Sequence, residues 1–211
     1  MDPPYPLAAG CTICLELSRH RTHIVHGYGD PQPKVLFISD APERHGSDTT
    51  GVPLTLSERG RRFQVLLMAL GLSEEHEPAV TRPRLKGAYV THLVRCAPPH
   101  YRSLDDRELA HCIPYLWQEI ALLTPRIIVP IGDLATRVIF GKYLNALPGS
   151  VEEIHAQLYP IAGAYLLPML DPLKMTREEA LVFTRVLAAL LEDGQLGEDE
   201  ALQHEDDAAE L

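Results

Sequence analysis

An α/β fold is predicted by two patterns: four short apolar runs rich in β-branched and aromatic residues, and amphipathic segments of helical period between them. Strands that alternate with helices pair in parallel through right-handed crossovers, and the helices cover both faces of the sheet. The expected architecture is a three-layer α/β/α sandwich around a central, mainly parallel, four-stranded sheet.

The first run, KVLFIS at 34–39, is closed by Asp40. A helix follows at 57–70, SERGRRFQVLLMAL, starting at the capping residue Ser57 and stopping at Gly71. The polar, proline-containing stretch 73–86 reads as an exposed excursion. The second run, AYVTHLV at 88–94, leads into a helix at 103–123 that starts at Ser103, with Asp106 three residues on. The third run, IIVPI at 127–131, is followed after Gly132 by a helix at 133–140. The fourth, AYLLPML at 164–170, precedes a helix at 174–192. In open sheets of this kind ligands bind at the carboxyl ends of the strands, which directs attention to the loops 40–55, 91–102, 132–133 and 171–174.

The chain has 211 residues, 45% hydrophobic and 23% charged, which suits one globular domain. No apolar run approaches the roughly 18 residues of a membrane span, and MDPPYPLAAG lacks the basic start and apolar core of a signal peptide. The expectation is a cytoplasmic monomer with no membrane association. The net charge of −10 is concentrated at one end: nine acidic residues and no Lys or Arg lie in 192–211. The sequence therefore divides into a domain at 1–191, almost neutral, and an acidic tail at 192–211 that reads as a solvated, disordered appendage. That acidity does not exclude nucleic acid as a partner of the body.

Four cysteines are too few for a secreted disulfide scaffold, so they are candidates for metal binding or catalysis. Cys11 and Cys14 form a Cys-x2-Cys pair, while Cys96 and Cys112 have fifteen residues between them. A redox dithiol would need only the first pair, opening a helix after a strand, whereas this pair precedes the first strand. Structural zinc sites commonly join two Cys-x2-Cys knuckles, and the second pair is too wide for one; four thiolates also suit an iron–sulfur cubane. Spacing alone leaves zinc and cluster open.

The blocks GCTICLEL, RTHIVHGYGDPQPKVLFISDAPERHGSDTTGVPL, YVTHLVRCAPPHYR, HCIPYLWQEIALLTPRIIVPIG and LLPMLDP resemble, in order, the iron–sulfur uracil-DNA glycosylases (family 4 and its relatives), over residues 10 to 173. The resemblance implies a uracil-DNA glycosylase-like fold, DNA with a damaged base as substrate, and a [4Fe-4S] cluster on Cys11, Cys14, Cys96 and Cys112. It also assigns the pocket. Asp40, in Asp40-Ala41-Pro42-Glu43, stands where the family carries a carboxylate associated with the attacking water. Leu54 stands where a phenylalanine stacks on uracil. His92 replaces an asparagine that reads the uracil edge. Asp171, in Asp171-Pro172-Leu173, replaces a histidine that stabilises charge on the departing base. An ionised Asp171 would repel that charge, so ordinary uracil excision is expected to be impaired.

The expected catalytic residues are Asp40, His92 and Asp171, and the expected substrate contacts Ala41, Pro42, Leu54 and Arg102. Arg59, Arg61, Arg62, Arg95 and Arg102 are candidates for phosphate contacts. Two functions follow from this reading: base-excision chemistry on a deaminated base with altered or weak activity, or a catalytically inactive [4Fe-4S] module binding nucleic acid or a protein on the same fold.

Overall fold

The computed structural model describes residues 10–146 and 149–192; of the acidic tail, all but Glu192 lies outside the described residues. The described elements are α1 (Leu15–His20), β1 (Tyr28–Gly29), β2 (Val35–Ser39), α2 (Ser47–Thr50), α3 (Glu58–Ala69), β3 (Ala88–His92), α4 (Asp106–Leu123), β4 (Ile127–Pro130), α5 (Asp133–Tyr143), α6 (Val151–Ile154), β5 (Tyr159–Ile161), β6 (Ala164–Leu166) and α7 (Arg177–Glu192), with a 3-10 turn at Pro99–Tyr101.

The strand order is β1-β3-β2-β4-β6-β5. The inner four pair in parallel, with Ser39 level with His92 and Ile38 level with Pro130. These are the four strands that the apolar runs predict. The sheet nevertheless has six strands rather than four, because β1 and β5 add antiparallel edges. Neither edge strand has a fully buried residue, and Pro160 sits in β5, where an edge position tolerates its missing N–H. Such pieces leave no apolar run in the sequence.

Alternation along the strands divides the core in two. Val35, Phe37, Val90 and Val129 pack under α3 and α7 with Phe63, Leu67, Phe183 and Leu187. Leu36, Ile38, Tyr89 and Ile128 pack on the other face against Leu116 and Ile120 of α4 and Ala135 and Ile139 of α5. Three layers result. After the edge strand β1 the chain forms β2, moves outward to β3 and crosses back to β4 on the other side of β2, so the strand order reverses between β2 and β4. A crevice opens at the carboxyl ends of strands at such a point.

Helix starts follow capping chemistry. The Ser57 hydroxyl accepts from the Gly60 N–H at 3.1 Å, as predicted for α3. Helix α4 begins two residues beyond the predicted Ser103: Asp105 accepts from the Glu108 N–H at 2.8 Å, and Glu108 accepts from the Asp105 N–H at 3.0 Å. This reciprocal box satisfies two otherwise orphaned donors and fixes the start at Asp105 in place of Ser103.

Candidate active site and thiol cluster

Asp40 leaves β2 at the strand-order reversal. Its Oδ1 accepts the Ala135 N–H at 3.1 Å, tying the carboxylate to the first turn of α5. Burial raises its pKa to about 6; the Arg59 charge and the Ala135 hydrogen bond pull it down, while Asp171 and Asp133 push it up. A desolvated carboxylate titrating near 6 is ionised at neutral pH and basic enough to take a proton from water.

Asp171 does not face this site as a bare anion. Its Oδ2 lies 2.8 Å from Arg59 Nε, and the Arg59 side chain is only 9% exposed. The Nε–H has no aligned acceptor, so the contact is a charge pair and not a formed hydrogen bond. Asp171 Oδ1 accepts the Leu173 N–H at 2.9 Å, which fixes the turn. The repulsion expected of Asp171 is therefore opposed by an adjacent cation.

His92 ends β3 and is fully buried. Its Nδ1 lies 2.8 Å from the Ser39 hydroxyl, across the parallel register, while Nε2 has no partner. Desolvation lowers its pKa well below the usual value, with Arg59 and Arg95 acting in the same direction, so the imidazole is neutral. One nitrogen is thus held by Ser39, and the other is enclosed without a partner among the described residues, able to donate or accept according to tautomer.

Asp40, Ala41, Pro42 and Arg102 line one open cavity of about 450 Å³ together with Arg44, Tyr101 and Arg137. His92, Asp171 and Leu54 are not on its wall. Leu54 is 1% exposed and packs into the core with Phe37 and Phe63. Arg102 is held by Glu108, with bonds of 2.9 and 2.6 Å, and by Glu16 at 2.8 Å. It bolts α1 to the start of α4, and its charge is largely spent there.

The phosphate candidates separate by burial. Arg61 and Arg62 are exposed and pair with Glu58. Arg95 is 3% exposed and bonds to Glu119, which also accepts from the Tyr89 and Thr91 hydroxyls. A buried, saturated guanidinium cannot reach a phosphate, so Arg95 is structural. Arg59 is also buried, but its place beside Asp171, Asp40 and His92 makes it part of the candidate site. Sequence reasoning grouped it with the exposed arginines of its helix. The available signal was Gly60: a Cβ there would come within 2.7 Å of the Leu54 carbonyl oxygen, so glycine permits the tight approach that turns Arg59 inward.

All four cysteines line a second, narrow, mostly apolar pocket and pack with Leu17, Val94, Ile24 and Tyr115. Donors converge on the sulfurs: the Arg95 N–H and an Arg21 N–H reach Cys112 and Cys96, each at 3.4 Å, and His111 Nδ1 lies 3.5 Å from Cys14. Burial raises the thiols of Cys14, Cys96 and Cys112, Cys96 to about 11. Among the described residues no three His, Cys, Asp or Glu side chains converge on a single-ion position. Four thiols gathered around one pocket are a donor set of the kind that either a thiolate zinc site or an iron–sulfur cluster takes.

The family model for the uracil DNA glycosylase superfamily matches residues 26–191. The chain is 35% identical over 144 residues to a type-5 uracil-DNA glycosylase of Thermus thermophilus, covering 66% of this chain and 64% of that one. It is 30% identical over 132 residues to a type-4 uracil-DNA glycosylase of Sulfurisphaera tokodaii, covering 63% of this chain and 54% of that one. A type-4 enzyme of Archaeoglobus fulgidus is 26% identical over 150 residues, 68% of each chain. The chain thus spans between half and two thirds of the length of the first two relatives. Among the described residues no helix is long and apolar enough to cross a membrane.

Proposed function

Since the chain belongs to the uracil DNA glycosylase superfamily, we propose that it hydrolyses the N-glycosidic bond of a deaminated base in DNA, with a base preference altered by His92. The observation that carries this reading is Asp40, a half-buried carboxylate on the cavity wall at the β2/β4 reversal, held by the Ala135 N–H; desolvation lifts its pKa to about 6, which suits a general base. An extruded base enters the cavity beside Asp40, at an unstacking cost of a few kcal/mol. Asp40 takes a proton from a water as its oxygen bonds to the sugar C1′, and the glycosidic electron pair leaves with the base. Ala135 N–H orients one carboxylate oxygen, leaving the other for the water.

His92 supports a preference for deaminated bases in general. Such bases present a carbonyl beside a ring N–H, and the enclosed, unpartnered Nε2 serves either group according to tautomer when an entering base opens the cavity inward to it, whereas an asparagine offers both a donor and an acceptor at once. Arg44 and Arg137, on the cavity wall, are the candidate phosphate contacts; Arg137 is exposed and has no carboxylate partner among the described residues. Cys11, Cys14, Cys96 and Cys112 are the ligands of a [4Fe-4S] cluster, which when bound ties α1 to β3 and α4 and leaves the chemistry to Asp40 and its neighbours.

A second reading, a DNA-binding iron–sulfur module without chemistry, is favoured by the burial of Leu54, which offers an incoming base no ring face. The test is a panel of oligonucleotides carrying uracil, hypoxanthine or xanthine. Release of at least one base, lost in Asp40→Asn, supports the glycosylase. Salt-sensitive binding with no release from any substrate supports the module.

A further inference from the structure

A guanidinium carries five N–H donors and keeps its charge at any physiological pH. The Arg59 side chain is only 9% exposed; its Nε lies 2.8 Å from Asp171 Oδ2 and is buried with no aligned acceptor among the described residues. A buried donor left unpaired is costly, and a buried ion pair is by itself a weak source of stability. The neighbouring Arg61 and Arg62 reach solvent, so the burial is specific to one position of the helix. Gly60 packs the first turn of α3 against the Leu54–Thr55 backbone and carries Arg59 inward. There its charge bears on both Asp40 and His92, the residues at the ends of β2 and β3. Arg59 Nε and His92 Nε2 are both buried without a partner among the described residues, and the Arg59 charge acts on His92 and on Asp40 of the cavity wall.

Resting on the glycosylase reading, we propose that Arg59, positioned by Asp171, is the cation that binds the departing base, and that the base class is one with a carbonyl beside the scissile ring nitrogen. Asp171 replaces the histidine that the family resemblance assigns to this role, and the arginine paired with it returns the positive charge that the replacement removes. As the C1′–N bond breaks, its electron pair spreads over the ring nitrogen and adjoining carbonyl. A planar fork of N–H groups matches such neighbouring acceptors. Arg59 donates hydrogen bonds and keeps its proton; the released base anion is protonated by water.

The test compares single-turnover release of uracil and of 5-fluorouracil, whose ring anion is the more stable leaving group. The variants are the Arg59→Gln, Asp171→Asn double substitution, which keeps a neutral side-chain pair of similar size, and Arg59→Lys, which keeps the charge without the fork. A lost charge contact at about 4 Å and an effective dielectric near 20 is worth roughly a thousandfold in rate. The double variant should lose on the order of 10²–10³ in uracil release and markedly less with 5-fluorouracil, and Arg59→Lys should recover part of the uracil rate. Losses equal for the two bases, or no loss, overturn the proposal while leaving the glycosylase reading in place. If the double variant does not fold, Arg59→Lys alone decides, by whether its loss depends on the leaving group. A parent that releases neither base overturns this inference; release of hypoxanthine or xanthine by the same protein keeps the glycosylase reading, and release of none overturns that as well.

Discussion

Replacing Asp40 by asparagine is expected to stabilise the protein at neutral pH while abolishing base release. Burial lifts the carboxyl from 3.8 to about 6 in the folded state. A raised carboxyl pKa means that the folded state holds its proton more tightly than the unfolded chain does. The native state is thus favoured below pH 3.8, and this advantage is lost as pH rises through 6. Above that window, a shift of roughly two units at 1.36 kcal/mol each leaves a penalty of about 3 kcal/mol for the ionised form. Asparagine keeps an acceptor for the Ala135 N–H and carries no charge, so Asp40→Asn removes most of that penalty. Urea unfolding at pH 4 and pH 8, parent against variant, should show a gain approaching 3 kcal/mol at pH 8 and little at pH 4. Other titrating groups are common to both proteins and largely cancel. No gain at pH 8, or an equal gain at both, would refute the claim that Asp40 is a desolvated carboxylate kept for its chemistry.

Glu119→Gln should destabilise by about 3–5 kcal/mol in the same assay, because it leaves the buried Arg95 charge uncompensated and disturbs the Tyr89 and Thr91 bonds. Gly60→Ala should lose about 1–3 kcal/mol despite alanine's better helix propensity, since its Cβ would meet the Leu54 carbonyl and the Thr55 Cα, at 2.7 and 2.9 Å, with backbone atoms that cannot yield. Its base release should fall with the displacement of Arg59; a stable and fully active variant would contradict both expectations. Anaerobically prepared protein should be brown with about four irons per chain, and Cys96→Ser should lower that content. A colourless parent containing one zinc would contradict the cluster assignment.

The layers and the inner sheet were legible in the sequence because buried parallel strands leave continuous apolar runs, and 34–39 and 127–131 are of that kind. Tyr28–Gly29 and Tyr159–Ile161 were not, since an edge of two or three half-exposed residues has no period to read. The start of α4 was misplaced because Ser103 and Asp105 are both plausible caps, and only the Glu108 partner selects between them. Asp40 directly follows β2, His92 ends β3, and the four cysteines line one pocket. Arg59 was hidden because the letters of SERGRR do not say which arginine turns inward; packing at Gly60 decides that. The partner of Asp171 was hidden for the same reason, as it comes from a helix more than a hundred residues earlier.

The central claim is that a carboxylate at the strand-order reversal drives cleavage of a base from DNA. Its most direct measurement is single-turnover release of free base from oligonucleotides bearing uracil, hypoxanthine or xanthine, with iron-loaded parent and Asp40→Asn side by side. The account predicts release of at least one base by the parent, rising through pH 6 as Asp40 ionises and lost in the variant. A parent that binds these substrates and releases none, or a variant as active as the parent, would contradict it.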